Sequence, residues 1–180
     1  AFHTGNGTIL SYANRGGWDS IAKAFYFCGT SHTAGIFYNK CVVYDEATNT
    51  ASNFATPAHV PAGPTGGEAP GWTHAYDQQA WDTTRQKLYM RHSEHLDIYT
   101  PATATWTQSA TMPSGCENNG SYQTLEYFPE MDRIVFVSPF CPNRTATYNP
   151  ANDTWSTSQT TQGPDLSIEA AGGYSKQGFV

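Results

Sequence analysis

The segment Tyr99-Thr-Pro-Ala-Thr-Ala-Thr-Trp106 occurs three times, with variations, in this chain of 180 residues. A second copy is Tyr148-Asn-Pro-Ala-Asn-Asp-Thr-Trp155, and an earlier, more divergent copy is Tyr44-Asp-Glu-Ala-Thr-Asn-Thr-Ala51. The tyrosines that begin these copies lie about 50 residues apart, a period that is typical of repeat architectures. We therefore expect one structural unit to be built three times.

Each repeat also has an aromatic residue seven positions before a short hydrophobic segment. The pairs are Trp18 and Phe25, Trp81 and Leu88, and Tyr127 and Ile134. The hydrophobic segments are rich in β-branched and aromatic residues, as buried strands are. They are Phe25–Cys28, Leu88–Met90 and Ile134–Val137. These segments predict the second strand of each unit, which we name strand b.

The other strands of each unit are placed around strand b. We predict strand a, the innermost, at Thr8–Tyr12, Thr73–Asp77 and Tyr122–Glu126. Strand c ends at the tyrosine of each repeated segment, and strand d opens near Thr50, Trp106 and Trp155. Proline, Asn, Asp and Thr within the repeated segment predict a tight turn between strands c and d. The two tryptophans recur with the repeat, so we expect them in the core between units.

A hydrophobic strand b followed by Tyr-x-Pro-x-x-x-Thr-Trp, as in Tyr99–Trp106 and Tyr148–Trp155, resembles the repeat of the kelch or galactose-oxidase-like propeller superfamily. The resemblance covers most of the chain. It implies an all-β fold, a β-propeller of kelch-like four-stranded antiparallel blades. The blades are expected at 1–54, 55–108 and 109–158, with 159–180 beginning a fourth. Since propellers usually have about 4 to 8 blades, we expect a fragment of a larger ring, completed by additional blades or a larger assembly.

The composition excludes several classes of partner. Charged residues make up 13% of the chain, against about 25% in typical domains, and the net charge is -6. The 9 Lys and Arg residues are scattered, so no basic face is available for nucleic acid. Apolar runs such as Ile134–Val137 are too short for membrane insertion. A surface rich in Thr, Ser, Asn and Tyr is common in extracellular and virion-surface β proteins, and we expect that location.

The chain has 4 cysteines without Cys-x-x-Cys spacing, which allow three disulfide pairings and argue against a structural zinc site. We favour Cys28 with Cys41, which flank the predicted loop Gly29–Lys40, and Cys116 with Cys141, which lie in predicted loops on one face of a blade. Such disulfides persist mainly outside the reducing cytosol.

Sequons begin at Asn6, Asn119, Asn143 and Asn152. They would be glycosylated in a eukaryotic secretory pathway, although a Thr-rich sequence also produces such triplets by chance.

Alternating strand direction predicts which loops share a face. The b-to-c and d-to-a connections must emerge on one face, and the a-to-b and c-to-d turns on the other. The first group contains the long connections predicted at 55–71, 108–120 and 157–171, and the b-to-c loops predicted at 30–40, 92–95 and 138–144. Binding residues usually lie in long loops on a rigid scaffold, so we expect the ligand-binding site on that face.

Six residues of that face are candidates for ligand binding. They are Trp72, His74, His92, His95, Glu117 and Asn118. Trp72 and His74 could stack on a sugar or a peptide, and packing between blades explains them equally well. Glu117 could act as a general acid or base, whereas a disulfide-tethered polar loop is our preferred interpretation.

The segment His92-Ser-Glu-His95 could give two imidazoles and a carboxylate to a metal, with His32 in the place equivalent to His95 in the preceding blade. We instead interpret this segment as a polar hairpin turn, and we expect no metal and no other cofactor.

Two function classes compete. A low-charge surface without a convergent acid, base or nucleophile favours a non-catalytic extracellular or virion-surface module that binds a glycan or protein partner. The alternative is a copper radical oxidase like galactose oxidase, or another propeller enzyme, with its active site partly in missing blades. The resemblance carries none of that family's copper ligands onto particular residues of this chain. A sialidase or other glycosidase ranks third, because no tight carboxylate pair or Arg cluster can be assembled.

Overall fold

The computed structural model describes residues 3–4, 7–8, 15–33, 36–60, 63–66, 72, 76–116, 123–138, 140–141 and 145–157. The secondary structure of this part of the chain consists of strands and one short 3₁₀ helix, η1 (Pro101–Thr103). The strands are β1 (His3–Thr4), β2 (Gly7–Thr8), β3 (Gly17–Asp19), β4 (Ala24–Thr33), β5 (Ile36–Asp45), β6 (Thr50–Phe54), β7 (Gly63–Gly66), β8 (Gln79–Asp82), β9 (Lys87–His92), β10 (His95–Thr100), β11 (Thr105–Gln108), β12 (Thr124–Phe128), β13 (Arg133–Val137), β14 (Thr145–Asn149) and β15 (Thr154–Ser156).

Three sheets follow one another along the chain, each with four antiparallel strands in chain order. The first sheet is β3-β4-β5-β6, the second is β8-β9-β10-β11, and the third is β12-β13-β14-β15. Strand β7 adds to the first sheet by pairing with the start of β5, and β1 pairs with β2. The prediction of an all-β fold of four-stranded antiparallel sheets, consistent with part of a propeller, is confirmed. Residues 158–180, including the predicted start of a fourth blade, lie outside the described residues.

The seven-residue spacing between aromatic residue and strand b is the register of a hairpin. Trp18 lies directly opposite Phe25, Trp81 opposite Leu88, and Tyr127 opposite Ile134. The aromatic residue is therefore itself on strand a. Strands β3 and β8, which pair with β4 and β9, are the first strands of their sheets, because a four-residue turn is enough to join strands a and b. Most of the segments predicted as strand a at Thr8–Tyr12 and Thr73–Asp77 lies outside the described residues. The prediction at Tyr122–Glu126 was early by two residues.

Strands b and c of the first sheet are longer than predicted. β4 and β5 stay paired from Ala24 opposite Asp45 to Thr33 opposite Ile36. The prediction of a b-to-c loop over 30–40 is wrong, because both sides of that segment continue the ladder of backbone hydrogen bonds. This ribbon extends beyond the short β3, and β7 from the following connection pairs with its far end.

The first and second sheets are joined by aromatic packing and by one buried amide. The ring of Tyr26 stacks on Trp81 with centroids 5.3 Å apart. The fully buried Gln79 side chain accepts a hydrogen bond from the Cys28 backbone N–H and donates one to the Cys28 carbonyl, at 3.1 and 2.6 Å. Gln79 thus satisfies both backbone groups of Cys28 at a position where the short β3 does not pair with β4.

The second and third sheets enclose another apolar core. Tyr89 and Ile98 of the second sheet pack there with Leu125 and Phe136 of the third. The innermost strands of the three sheets also contact one another in sequence, β3 with β8 and β8 with β12. Arg15, which precedes β3, hydrogen-bonds the Leu125 carbonyl of β12 at 3.4 Å. The three sheets are therefore arranged with their first strands toward a common side, as in propeller blades.

The recurrent tryptophans hold neighbouring sheets together, as predicted. The indole N–H of Trp106 donates to the Ala55 carbonyl at 2.7 Å, and that of Trp155 donates to the Ala110 carbonyl at 2.9 Å. Each acceptor lies just after the last strand of the preceding sheet. Both rings are partly buried against the cores. The Thr-Trp of the repeat is therefore an inter-sheet contact.

All six a-to-b and c-to-d turns of the three sheets have four residues and end with a residue of positive φ. In the a-to-b turns these residues are Lys23, Gln86 and Asp132, and in the c-to-d turns they are Asn49, Ala104 and Asp153. Only Asn and Asp among these types adopt this conformation readily.

Within the described residues, no helix is long and apolar enough to cross a membrane.

An ion-pair network crosses between the second and third sheets at these tight turns. The Arg85 guanidinium contacts Asp132 at 2.6 and 2.7 Å and Asp82 at 3.0 Å. Asp132 also accepts a hydrogen bond from the Tyr127 hydroxyl at 3.1 Å. These contacts, with the Arg85 hydrogen bonds as the main cause, lower the pKa of Asp132 from 3.8 to about 2.

We expect Ala104→Gly to stabilise the protein. Ala104 is exposed with φ of 53° and ψ of 38°, a conformation that costs an L-residue about 1–2 kcal/mol. Glycine removes this cost but loses about 0.5–1 kcal/mol through its greater freedom when unfolded. The net gain in the free energy of unfolding should be about 0.5–1 kcal/mol, measured by urea denaturation. Ala102→Gly, at an exposed helical position of the same turn, should destabilise. Equal destabilisation by both would contradict the expectation.

We expect Asp132→Asn to remove part of the pH dependence of stability. Because folding lowers the pKa of Asp132, its ionised form stabilises the fold above about pH 4, and this contribution is lost as the pH falls toward about 2. The variant should be less stable than wild type near neutrality, and the difference should vanish near pH 2. Urea midpoints across this range measure it. Glu130→Gln, exposed in the same turn, is the matched control for the loss of a surface carboxylate. A constant difference at every pH would exclude the carboxylate as the cause.

Candidate functional site

The structure describes three of the six predicted ligand-binding residues. Trp72, His92 and His95 are described, whereas His74, Glu117 and Asn118 lie outside the described residues. Of the predicted glycan acceptors, Asn152 is exposed in the c-to-d turn of the third sheet, and Asn6, Asn119 and Asn143 lie outside the described residues. The site is therefore built from the three described residues and their partners.

A buried carboxylate is the centre of this site. Asp97 lies in β10, and its side chain is completely buried on the side of the second sheet that faces the first. The side chain accepts a hydrogen bond from the Trp72 indole at Oδ2, at 2.9 Å. His59 Nε2 lies 2.9 Å from Oδ1. The Gln108 amide, from the facing position of β11, lies 3.3 Å from the same oxygen.

Two of these partners come from the connection between the first and second sheets, residues 55–78. A turn closed by the Val60 N–H to the Pro57 carbonyl, at 2.9 Å, places His59. Val60 is fully buried in the first core, so it fixes this turn against the sheets. Trp72, farther along the connection, is 2% exposed and packs beside Trp106. Asp97 thus fastens the connection to the second sheet at two points.

Trp72 occupies the inter-sheet core, which was one of the two interpretations of its sequence position. Its indole packs against other rings and its N–H is used by Asp97. With so little surface exposed, the ring offers no open face on which a sugar could stack. Its direct contribution is to orient the Asp97 carboxylate.

His92 ends β9 and faces the same cluster. Its ring lies 4.8 Å from the His59 ring, centroid to centroid, and its Nδ1 is 3.8 Å from Asp97 Oδ2. That nitrogen is buried and makes no hydrogen bond with the described residues. Burial is the largest influence on the imidazole and lowers the pKa of His92, while the nearby Asp97 opposes this effect. The neutral ring therefore prevails near neutral pH.

His95 lies directly opposite His92 in the β9–β10 hairpin but has different partners. Its Nδ1 donates to the Ser109 carbonyl at 2.8 Å, while Ser109 Oγ accepts from the Leu96 N–H at 2.9 Å. His95 therefore fixes the residue that follows β11. The interpretation of His92-Ser-Glu-His95 as a polar hairpin turn is confirmed by the pairing, with Ser93 at positive φ.

His32 does not occupy the position equivalent to His95. In the second sheet, His95 is the partner of His92, four residues after Leu88. In the first sheet, Phe25 is the equivalent of Leu88. Four residues after Phe25 lies Gly29, whose partner is Lys40. His32 lies farther along β4, because the first hairpin is longer, so the proposed equivalence was wrong.

Both predicted disulfides are present. Cys28 and Cys41 are bonded directly across β4 and β5, and therefore do not flank a loop as predicted. Cys116 and Cys141 join the connection at 109–123 to the connection at 138–144. These two connections belong to the face predicted to carry the long loops. The second disulfide consequently ties two connections of that face together.

Sequence inspection missed three residues of the cluster, namely His59, Asp97 and Gln108. Asp97 could have been found from its position between the apolar residues Leu96 and Ile98 of one strand. A carboxylate at such a position must have a partner if it is buried, since buried carboxylates are rare unless paired. His59 lies about 40 residues from its partner in a Pro-rich connection, and nothing in its local sequence indicates that partner.

The cluster has the donor set of a cation site. His59, His92 and Asp97 each offer one ligand atom, and these atoms all lie within 4.8 Å of one another. A His–Asp pair can also orient a general base, but such a base needs a reacting group within reach. The hydrogen-bonding neighbours of this pair are an indole N–H and an amide, neither of which is a nucleophile.

We expect Asp97→Asn to lower the free energy of unfolding by about 3 kcal/mol, because hydrogen bonds to a charged group are worth about 1.5–3 kcal/mol and unpaired buried donors add a penalty. The substituted amide would place N–H groups against the donors of Trp72, His59 or Gln108. Urea denaturation measures the change. Glu94→Gln, exposed in the adjacent hairpin turn, is the matched control and should be neutral. A neutral Asp97→Asn would mean that the carboxylate does not hold the connection.

Neither a scan against models of protein families nor a search of curated proteins finds a match to this chain.

Proposed function

We propose that this protein is a non-catalytic, kelch-like β-propeller module that binds a glycan or protein partner. Binding takes place on the long-connection face, which we define as the side carrying connections 55–78 and 109–123 and the b-to-c turns at 93–94 and 138–144. The observation that supports this assignment most directly is the asymmetry of the connections. All the turns on the opposite side, the tight-turn face, have four residues.

Side-chain contacts of described residues tie the two long connections of this face to the rest of the protein. Asp97 holds connection 55–78 through Trp72 and His59. The disulfide of Cys116 holds connection 109–123. Residues held in this way lose less conformational freedom when a partner binds than unattached residues would, which favours affinity. Recognition by such a face needs no catalytic group.

The acidic and basic side chains with described contacts support a binding role over catalysis. Asp82, Arg85 and Asp132 bind one another between sheets at the tight turns. Asp19 and Asp45 accept backbone N–H groups in their own turns, Asp19 from Ile21 and Ala22 and Asp45 from Thr48. These groups stabilise turns and sheet contacts, a use that fits a scaffold for recognition.

An extracellular or virion-surface location is part of the proposal. The two disulfides are compatible with an oxidising location, where such bonds persist. The low content of charged residues, 13%, agrees with such a surface. Asn152 in its exposed turn is the described sequon at which a glycan could be attached without disturbing a core.

We further propose that the outer sheets meet additional blades or a partner. Trp18 and Phe25, paired on the outer side of the first sheet, are 41% and 37% exposed. On the third sheet, Val135 and Val137 are half-buried at the positions alternating with the core residues. Faces of this kind are usually covered in propellers by the neighbouring blade.

Exposed apolar residues on the two faces provide a matched test of the binding face. Phe140 lies in the b-to-c connection of the third sheet and is 41% exposed, whereas Met131, 53% exposed, lies in the a-to-b turn of the same sheet. We expect Phe140→Ala or Glu94→Ala to weaken binding about tenfold, as for a central interface residue. Met131→Ala should leave binding unchanged. The probes are a glycan array and a panel of secreted proteins, with affinities then measured by surface plasmon resonance on folded variants.

Loss of binding on Met131→Ala with binding retained in both long-connection variants would overturn the face assignment. Oxidation of alcohols with release of hydrogen peroxide by copper-loaded protein would overturn the non-catalytic role and favour the oxidase alternative. Circular dichroism of each variant separates loss of binding from loss of the fold.

A further inference from the structure

We propose that His59, His92 and Asp97 form a zinc-binding site that fastens connection 55–78 to the second sheet. The inference is independent of the partner-binding role proposed above, since it concerns the cluster behind the long-connection face. It rests on three observations: the donor set, an unsatisfied buried nitrogen, and a carboxylate already held in position by a neighbouring side chain.

The separations within the cluster are close to those of a tetrahedral zinc site. Zinc binds imidazole nitrogen and carboxylate oxygen at about 2.0–2.2 Å, so two ligand atoms of a tetrahedron are about 3.4 Å apart. Here, His59 Nε2 is 2.9 Å from Asp97 Oδ1, and His92 Nδ1 is 3.8 Å from the other oxygen, Oδ2, so the two carboxylate oxygens face different imidazoles. One ligand atom from each residue lies within 4.8 Å of the others, and zinc binding would draw these atoms closer together.

His92 Nδ1 is a buried nitrogen without a hydrogen-bond partner in the described part of the chain. It is buried and makes no hydrogen bond, although buried polar atoms nearly always have one. A neutral imidazole nitrogen with an available lone pair is the form that binds a metal ion.

Asp97 is oriented as a metal-binding carboxylate usually is. The Trp72 N–H occupies Oδ2 at 2.9 Å and fixes the plane of the carboxylate, while Oδ1 faces His59. Metal-binding side chains are commonly held by such outer hydrogen bonds. The negative charge of this fully buried group also favours a cation beside it, since buried charges are otherwise costly.

The chemistry of the donors selects zinc over calcium or magnesium. Two imidazoles and one carboxylate suit zinc, whereas calcium and magnesium require mainly oxygen ligands. Sites with three protein ligands usually take water as the fourth.

Binding requires little rearrangement of protons. In its present contact, His59 Nε2 donates a proton to Asp97, and the tautomer with the proton on Nδ1 frees Nε2 for the metal. The His59 side chain is 37% exposed, so the ion can enter from the solvent along this ring.

The test is zinc titration of the tag-free full chain after removal of metal with a chelator. We expect the wild type to bind one equivalent of zinc by isothermal titration calorimetry, and its melting temperature to rise with zinc but not with magnesium. His59→Ala and His92→Ala should each weaken zinc binding tenfold or more, since even outer-shell changes cost about 10–100-fold at metal sites. Cobalt, bound in place of zinc, should give the visible absorption of a tetrahedral ion.

His95→Ala is the matched control, because this histidine lies opposite His92 but hydrogen-bonds the Ser109 carbonyl. It should retain wild-type zinc affinity. His59→Ala alters only a side chain of the connection, so it keeps the proposal testable if His92→Ala does not fold. The proposal is overturned if wild type shows no saturable binding, if His59→Ala binds zinc as wild type does, or if His95→Ala loses affinity equally.

Discussion

Each four-stranded sheet must bury an apolar face, and the contact between successive sheets meets this requirement in every repeat. The strands of the second sheet alternate strictly: Trp81, Leu88 and Tyr99 face the first sheet, while Tyr89 and Ile98 face the third. A sheet buried on both sides cannot be stable alone, so the units depend on one another. The repeated indole N–H to carbonyl bond sets where each new sheet meets the last.

The candidate site is a consequence of that stacking. Long connections between sheets must cross the edge of the core, and connection 55–78 does so with Val60 and Trp72 buried inside it. Asp97 lies at that edge, where its carboxylate can bind both the connection and the next strand. The same group therefore contributes to stability and brings two imidazoles together. A polar cluster at such a junction is well placed to fix a recognition face.

Local sequence was informative wherever a structural feature depends on residues close together in the chain. The seven-residue spacing is a hairpin register, and the tight turns need only four residues, so both recur with the repeat. Strand order placed Cys116 and Cys141 on one face, whereas Cys28 and Cys41 are bonded across β4 and β5 and do not flank a loop. Strand a was misplaced because the prediction ended it before the aromatic residue of each repeat. That aromatic residue, Trp18, Trp81 or Tyr127, lies on strand a itself. The long β4–β5 hairpin was missed because polar residues interrupt its pattern.

The sequence by itself determined the repeated sheets and the recurrent tryptophan contact, because periodic spacing and strand alternation carry that information, whereas it left three disulfide pairings open. Only the tertiary structure decided which polar residues meet. His92 was paired with His95 by proximity in sequence, yet its ring lies beside His59 and Asp97, whereas His95 turns to Ser109. Residues 59 and 97 come together only when the first and second sheets pack and the connection folds over their edge. Such long-range contacts produce no periodic pattern in the sequence, since they depend on how whole sheets stack.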